Sequence, residues 1–366
     1  MTPAPSARDD VSRQSAHAPV LLDEALTWLA PRPGGRYCDA TLGMAGHAQA
    51  ILDRSAPDGR LIGIDRDPNA LAQARLTLEP FGDRVSLVHA RFSQAREVLE
   101  RLEMVPVDGF LVDLGVSSPQ LDRPERGFSY SVDAPLDMRM DPTTGITAED
   151  VVNTYQAADL ARVLRVYGEE RFASRIASAI VRERDRGRIT SSARLAELVR
   201  DAIPAPARRT GGNPAKRTFQ ALRIEVNGEL DALRRALPAA LDRLAIGGRM
   251  VVLSYHSLED RITKQAIAPR ARASGPVDLP VELPGTGPTL RLLTRGAELP
   301  SEAEVAANPR AASVRLRAVE RIDEHKRTQV RALHQPTARR GGARSGGRQP
   351  GGGGAPPTDQ EEGEGR

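Results

Sequence analysis

The sequence predicts an α/β fold: a largely parallel sheet wound with crossover helices, into which a helical domain is inserted. Three observations predict it. Short apolar runs bounded by Gly, Asp or Pro alternate with amphipathic stretches, the rhythm of parallel strands joined by helices. A Gly-containing loop follows the first run and an aspartate ends the second, as in open sheets that bind ligands beyond their strand ends. More than 130 residues then separate the fourth and fifth runs, too many for one crossover.

Taken in order, the strand-like runs are 36–39, 61–65, 85–89 and 110–113, with helical stretches at 70–78 and 93–102 between them. A helical segment near 227–244 and a break at Gly247-Gly248 lead into a fifth strand at 250–254. Two late runs, 290–293 and 314–319, predict an antiparallel pair at the sheet edge. Inside the long gap Phe172, Ile176, Ala179 and Ile180 recur at helix spacing, with Arg and Glu opposite. The stretch PAPARRTGGNPAKR (204–217) breaks that pattern, concentrates positive charge and reads as an exposed basic loop. The polar segment 1–16 and the Gly/Arg-rich tail 326–366 carry too little apolar surface to order themselves.

Composition narrows the function classes. The chain is 40% hydrophobic and 27% charged, ordinary for a globular protein. No apolar run approaches the ~18 residues of a membrane span, and residues 1–16 lack the apolar stretch of a signal peptide, so a cytoplasmic location is expected. Cys38, the single cysteine, excludes an internal disulfide framework and a cysteine cluster for zinc. The formal charge of +4 permits a phosphate-rich partner. Of 52 basic residues only Lys216, Lys264 and Lys326 are lysines; guanidinium groups suit phosphate, although a GC-rich genome accounts for the same bias.

The first strand ends in Asp39-Ala40-Thr41-Leu42-Gly43-Met44-Ala45-Gly46-His47. Small residues there admit a ligand to the backbone, and the next helix offers free N–H donors. The second strand ends in Gly63-Ile64-Asp65-Arg66-Asp67, which places the Asp65 carboxylate to accept hydrogen bonds from ribose hydroxyls. A dinucleotide site would show G-x-G-x-x-G, whereas this loop is G-x-x-G opened by an acid. Asp39 suits a cationic amino-acid moiety better than a diphosphate, so S-adenosylmethionine fits and NAD fits poorly. An ordinary strand–helix turn would explain the glycines alone, but not Asp65 as well.

Phe92, after the third strand, is placed to pack on an adenine or within the core. The fourth strand continues into Asp113-Leu114-Gly115-Val116-Ser117-Ser118-Pro119-Gln120. Its Ser-Pro-Gln is similar to the Asn/Asp/Ser-Pro-Pro-aromatic loop of enzymes that methylate exocyclic amines. Methylation at cytosine C5 needs a thiolate, and Cys38 lies inside the first strand, away from this loop. Direct transfer to an amine needs only acceptors that orient its N–H bonds. Backbone carbonyls around Ser118-Pro119 and the Asp113 carboxylate are the candidates, and positioning of this kind lowers a barrier by ~7–11 kcal/mol.

Longer motifs make a specific resemblance. HAPVLLDE (17–24), GIDRDP (63–68), DLGVSSPQL (113–121) and ERGFSYSVDAPLDMRMDP (125–142) run in order. YGEERFASRIASAIV (167–181), RTFQALRIEVNGEL (217–230), SYHSLEDR (254–261) and NPRAASVRLRAVER (308–321) follow them. Over 17–321 the chain resembles the bacterial small-subunit ribosomal RNA cytosine-N4 methyltransferases, the RsmH (MraW) family.

The resemblance implies a Rossmann-like class I methyltransferase sheet with an inserted helical domain. The methyltransferase domain would span 17–122 and 223–325, and an RNA-recognition insert 123–222. It implies S-adenosyl-L-methionine as cofactor and 16S rRNA in the small ribosomal subunit as partner, with N4 methylation of a cytosine in the decoding region. Carried over by motif, the cofactor contacts are Ala45, Gly46, His47, Asp65, Phe92, Asp113 and Gln120, with Asp113, Ser118 and Pro119 as catalytic candidates. The family pattern T-F-G-x-G-G-H is altered here, with Leu42 and Ala45 replacing Phe and Gly. Ala45 is tolerated at negative φ and strained by ~1 kcal/mol or more at positive φ.

His47 reads as a helix-start residue touching the cofactor. His256 reads equally as a side chain facing the target base or as a structural hydrogen bonder. Asp137 and Asp141 bracket Arg139 as a self-paired loop, and one-carbon transfer requires no metal. Arg139, Arg208, Arg209, Lys216 and Arg217 are the candidate phosphate contacts. Rival readings are methylation of DNA or protein amines, a ribosome-assembly factor that holds the cofactor as a structural ligand, and, more distantly, an NAD oxidoreductase.

Overall fold

The structure, a computed structural model, describes residues 19–130, 132–208, 213–273 and 286–323. Segments 1–16 and 326–366 and the candidate contact Arg209 lie outside the described residues, as does the side chain of Ser118. Among the described residues seven strands form one sheet: β1 (Arg36–Asp39), β2 (Arg60–Asp65), β3 (Val85–His89), β4 (Val107–Asp113), β5 (Leu244–Ser254), β6 (Leu290–Leu292) and β7 (Arg315–Arg321). Their order is β3-β2-β1-β4-β5-β7-β6. The first five are parallel; β7 runs antiparallel to β5, and β6 antiparallel to β7. The strand order reverses between β1 and β4, where ligands bind in open α/β sheets.

Apolar side chains cover both faces of the sheet, as a parallel sheet requires. Ile62, Phe110, Val112 and Met250 pack against Leu230, Leu233 and Leu237 of the helix Glu229–Leu241. Tyr37, Leu61, Leu111 and Val251 pack on the opposite side with Leu26, Ile51 and Leu52. The helix Pro68–Leu78 starts at Asp67, whose carboxylate accepts from Asn69 N, with Pro68 in the first turn.

Several boundaries differ from the sequence reading by one to three residues, β4 for one beginning at Val107, and two further differences concern β5 and the helices before it. β5 begins at Leu244, ahead of Gly247-Gly248, because Leu244 already pairs with Val107; the register then shifts before Gly109 pairs with Arg249. The glycines sit within the strand, Gly247 at φ +81°. The helical segment near 227–244 belongs to two helices, Lys216–Asn227 and Glu229–Leu241, separated by Gly228 in the left-handed conformation that ends the first.

A third apolar cluster draws on residues from Phe128 to Leu222. It is built by the helices Ala148–Thr154, Ala157–Gly168, Ala173–Arg184 and Ser192–Ala202, with the first half of Lys216–Asn227. Along Ala173–Arg184 the buried stripe is Ala173, Ile176, Ala177 and Ile180; Ala179 is only partly covered, one position off the face expected for it. The basic stretch 204–217 is not simply an open loop. Ala205–Arg208 is a short helix, Ala215 is buried, and Lys216 opens a helix. Asn227 ties this cluster to the sheet side: its amide donates to Met138 O at 2.8 Å and accepts from Met140 N at 2.9 Å, while its own carbonyl accepts from Arg66 at 3.0 Å.

Candidate active site

A cleft of about 1730 Å³ opens at the carboxyl ends of β1, β2 and β4. Its walls include Thr41, Asp65, Phe92 and Asp113 from the sheet side, and Phe219 and Arg223 from the helix Lys216–Asn227. Ligand pockets for one small molecule span roughly 300–1,000 Å³, so this cleft has room for two reactants.

The loop after β1 is shaped by backbone demands. Ala45 is fully buried at φ +67°, ψ +18°, so the replacement of the family's glycine does place an alanine in the left-handed region. Gly46 opens the helix Gly46–Arg54 beneath Pro19; a Cβ there would meet the proline ring at 2.4 Å. Asp65 braces the loop from β2, accepting from Gly43 N and from Asp67 N, each at 2.8 Å. Arg66 N–H adds to these, and a carboxylate with about four acceptor positions still has capacity for a ribose hydroxyl.

Carboxyl groups are concentrated under this loop, and ionising them carries a desolvation cost. Burial pushes the carboxyl of Asp39 up to about 7, with Asp113 and Asp65 adding to the rise and His47 and Thr41 opposing it. Burial likewise pushes Asp113 up to about 7, against the lowering effect of the Tyr255 hydroxyl. Asp65 is raised by burial. His47, buried beside them, is held below the ordinary histidine value, with Nε2 3.1 Å from Val20 O and Nδ1 3.8 Å from Asp113 Oδ2. Buried carboxyls short of positive partners suit a ligand that brings its own positive charge, as a sulfonium amino acid does.

Asp113 is held from two sides. Its N–H donates to Thr41 Oγ1 at 2.6 Å, and Tyr255 Oη donates to its Oδ1 at 2.9 Å. Gln120 is buried at the cleft wall, where its amide donates to Asp67 at 3.0 Å and accepts from Ser117 N at 3.1 Å; a carboxamide so engaged keeps a second N–H and a second lone pair. The Pro119 carbonyl, expected to face an amine, accepts from Arg123 N at 3.2 Å because the chain turns there into the helix Ser118–Asp122. The Asp113 carboxylate lines the cleft at the end of β4. His256 caps the helix Ser257–Ile267, with Nδ1 accepting from Glu259 N at 3.4 Å and Nε2 3.1 Å from Glu259 Oε1. The ring thus caps the helix through Nδ1, while it also lines the cleft and its buried Nε2 makes no well-formed hydrogen bond among the described residues.

The described phosphate-contact candidates differ in their surroundings. Arg139 makes a bidentate pair with Asp137, Nε at 2.9 Å and Nη2 at 2.8 Å, while Asp141 instead caps Thr143 and lies 3.5 Å from His89. Arg208 turns back to donate to Ile203 O at 2.7 Å. Arg217 reaches Glu169 O at 3.3 Å, and Lys216 lines the cleft. Cys38 is buried within β1, and burial pushes its thiol up. Among the described residues no three His, Cys, Asp or Glu side chains gather as metal ligands, and no helix is long and apolar enough to cross a membrane.

Sequence reasoning missed Tyr255, Arg223 and Glu259. They lie in SYHSLEDR and RTFQALRIEVNGEL, stretches legible as motifs but silent about which side chains turn inward.

The model of the MraW methylase family matches residues 14–322. The chain belongs to the MraW methylase family. Curated relatives match over most of their length. A ribosomal RNA small subunit methyltransferase H from Salinispora arenicola is 68% identical, over 88% of this chain and 91% of its own. Proteins of the same name from Saccharopolyspora erythraea and Thermobifida fusca are each 61% identical, over 87% and 84% of this chain and 97% and 94% of theirs. As a MraW methylase the chain takes its methyl group from S-adenosylmethionine, and the buried acidic loop fits that cation.

Proposed function

We propose that this MraW methylase transfers a methyl group to the N4 exocyclic amine of a cytosine in the decoding region of 16S rRNA, in the cytoplasm, on the small ribosomal subunit. The observation that carries the reading is the placement of Asp113. It lies at the end of β4 in a cleft large enough for cofactor and base together, with its carboxylate oriented by Tyr255. The names of the relatives supply the class of RNA.

S-adenosylmethionine, when bound, supplies an electrophilic methyl on a sulfonium and leaves as the neutral thioether. The chain's residues supply alignment. Asp113 accepts one N–H of the amine and turns its lone pair in line with the methyl, without a covalent bond to the base. Cys38 is out of reach of any such bond. The methylated amine then releases its extra proton to Asp113 or to water, and no further base is needed. Residues 123–222 form the RNA-recognition insert of this reading, flanked by the methyltransferase portions 17–122 and 223–325. Of the described phosphate-contact candidates, Lys216 is the one that lines the cleft, where it would meet a phosphate beside the target base. Arg139, Arg208 and Arg217 each keep guanidinium N–H donors beyond those engaged within the chain, so a phosphate contact does not require them to leave their present partners.

The test is methyl transfer from labelled S-adenosylmethionine to 30S particles lacking their native methylation, with the nucleoside identified by mass spectrometry. N4-methylcytidine that disappears with Asp113→Ala is the expected result. Tight cofactor binding with no methylated cytidine would overturn the reading in favour of an assembly factor.

A further inference from the structure

Tyr255 is the first residue after β5, and its backbone N–H donates to Glu259 Oε2 at 2.7 Å. The same carboxylate lies 3.2 Å from His256 N, so the turn into the helix Ser257–Ile267 is pinned from within. Glu259 is fixed in turn by His256 and, at 3.9 Å, by Arg223, which forms a bidentate pair with Glu229 at 2.9 Å. From this fixed turn the phenol reaches across to β4 and donates to Asp113 Oδ1. The ring lies beside Gly115, whose φ of +104° favours glycine; a Cβ there would sit 3.4 Å from the Tyr255 ring, an ordinary contact.

We infer that Tyr255 is a positioning residue for methyl transfer: it holds one oxygen of Asp113 so that the other is presented to the amine being methylated. The inference rests on the proposed role of Asp113. The charged and titratable groups around that carboxylate are His47 from the helix Gly46–Arg54, Asp39 at the end of β1, and Tyr255 and Glu259 after β5. His47 does not donate to it. Its Nε2 faces the Val20 carbonyl, which only accepts, so Nε2 carries the proton and Nδ1 turns a lone pair toward Asp113. Tyr255 is therefore the side-chain donor found on Asp113 among the described residues. Its hydroxyl favours the ionised carboxylate against burial, so removing it both frees the carboxylate to rotate and makes it harder to ionise.

The experiment is Tyr255→Phe, assayed for methyl transfer to undermethylated 30S particles across pH, with S-adenosylhomocysteine affinity by calorimetry and the melting temperature alongside. The expected result is a roughly tenfold fall in kcat near neutral pH at unchanged KM, with the acid limb moved up by about one pH unit. Replacing Tyr255 by 3-fluorotyrosine, a stronger donor that keeps the shape, moves the limb the other way. A loss independent of pH that follows the melting temperature, or a limb unmoved in both variants, overturns the inference. If the wild-type protein methylates no cytidine, the functional reading fails, yet the pH dependence of S-adenosylhomocysteine affinity still reports on the pair. A profile identical in wild type and Tyr255→Phe then removes the Tyr255 inference as well.

Discussion

Arg126 and Asp67 lie 2.9 Å apart with 10% and 2% of their side chains exposed, and the contact joins the chain beyond the helix Ser118–Asp122 to the carboxyl end of β2. Arg126 also donates to the carbonyls of Arg139 at 2.9 Å and Met140 at 2.8 Å, while Asp67 accepts from Gln120. One buried cluster thus fixes the cofactor side of the cleft and the entry to the helical insert together. Removing one member of a buried ion pair leaves the other charge unpaired, at a cost of about 3–5 kcal/mol. Arg126→Met is therefore expected to lower stability by about that much in urea unfolding. Adding Asp67→Asn in the same chain is expected to restore part of it; a double variant no better than the single one would contradict this account.

Asp39 and Asp113 both titrate near 7 in the folded chain against an ordinary 3.8. Between those values the folded state holds protons that the unfolded state has released. The ligand-free protein is then most stable below about pH 4 with respect to these two groups, loses stability as pH rises toward about 7, and changes little above it. A cationic ligand favours the ionised pair. Calorimetry is expected to show S-adenosylmethionine binding more tightly as pH rises from about 6 to about 8. Because the two carboxyls interact, the apparent midpoint belongs to the pair. In Asp39→Asn the pH dependence becomes shallower.

Ala45 sits in the left-handed region with its methyl group buried. In Ala45→Gly, relief of a conformational cost of ~1–2 kcal/mol offsets the loss of a buried methyl, so the net change stays within about 1 kcal/mol. Ala45→Val adds a β-branched side chain to the same φ in a filled space and is expected to cost at least ~2 kcal/mol. It also weakens cofactor binding about tenfold or more. Thermal melts with and without S-adenosylhomocysteine measure both effects; a valine variant that melts and binds like wild type would refute the strain.

Gly168 ends the helix Ala157–Gly168 where it meets the helix Lys216–Asn227; a Cβ there would lie 2.6 Å from Arg217 O. Gly168→Ala must push the two helices apart, at about 1–3 kcal/mol. This contact lies away from the cofactor loop. The expected outcome is weakened methylation of the RNA particle, read as a higher KM, with S-adenosylhomocysteine affinity unchanged. Equal losses in both would show that the insert and the cofactor loop are not separable in this way.

The amino-acid sequence by itself determined the parallel α/β class, the residues of β1 and β3, the acidic glycine loop and the family. Those features are local: strands bounded by Gly, Asp and Pro, and motifs whose residue order survives any folding. Only the tertiary structure decided where β5 begins, since pairing of Leu244 with Val107 outweighs the glycine break that follows. It also decided that the Pro119 carbonyl and the Gln120 amide each take a hydrogen bond within the chain, that Arg139 pairs with Asp137, and that Tyr255 meets Asp113 across 142 positions of chain. Burial, and with it the charge state of Asp39 and Asp113, depends on everything packed around a side chain. A motif names such a residue, and packing sets its chemistry.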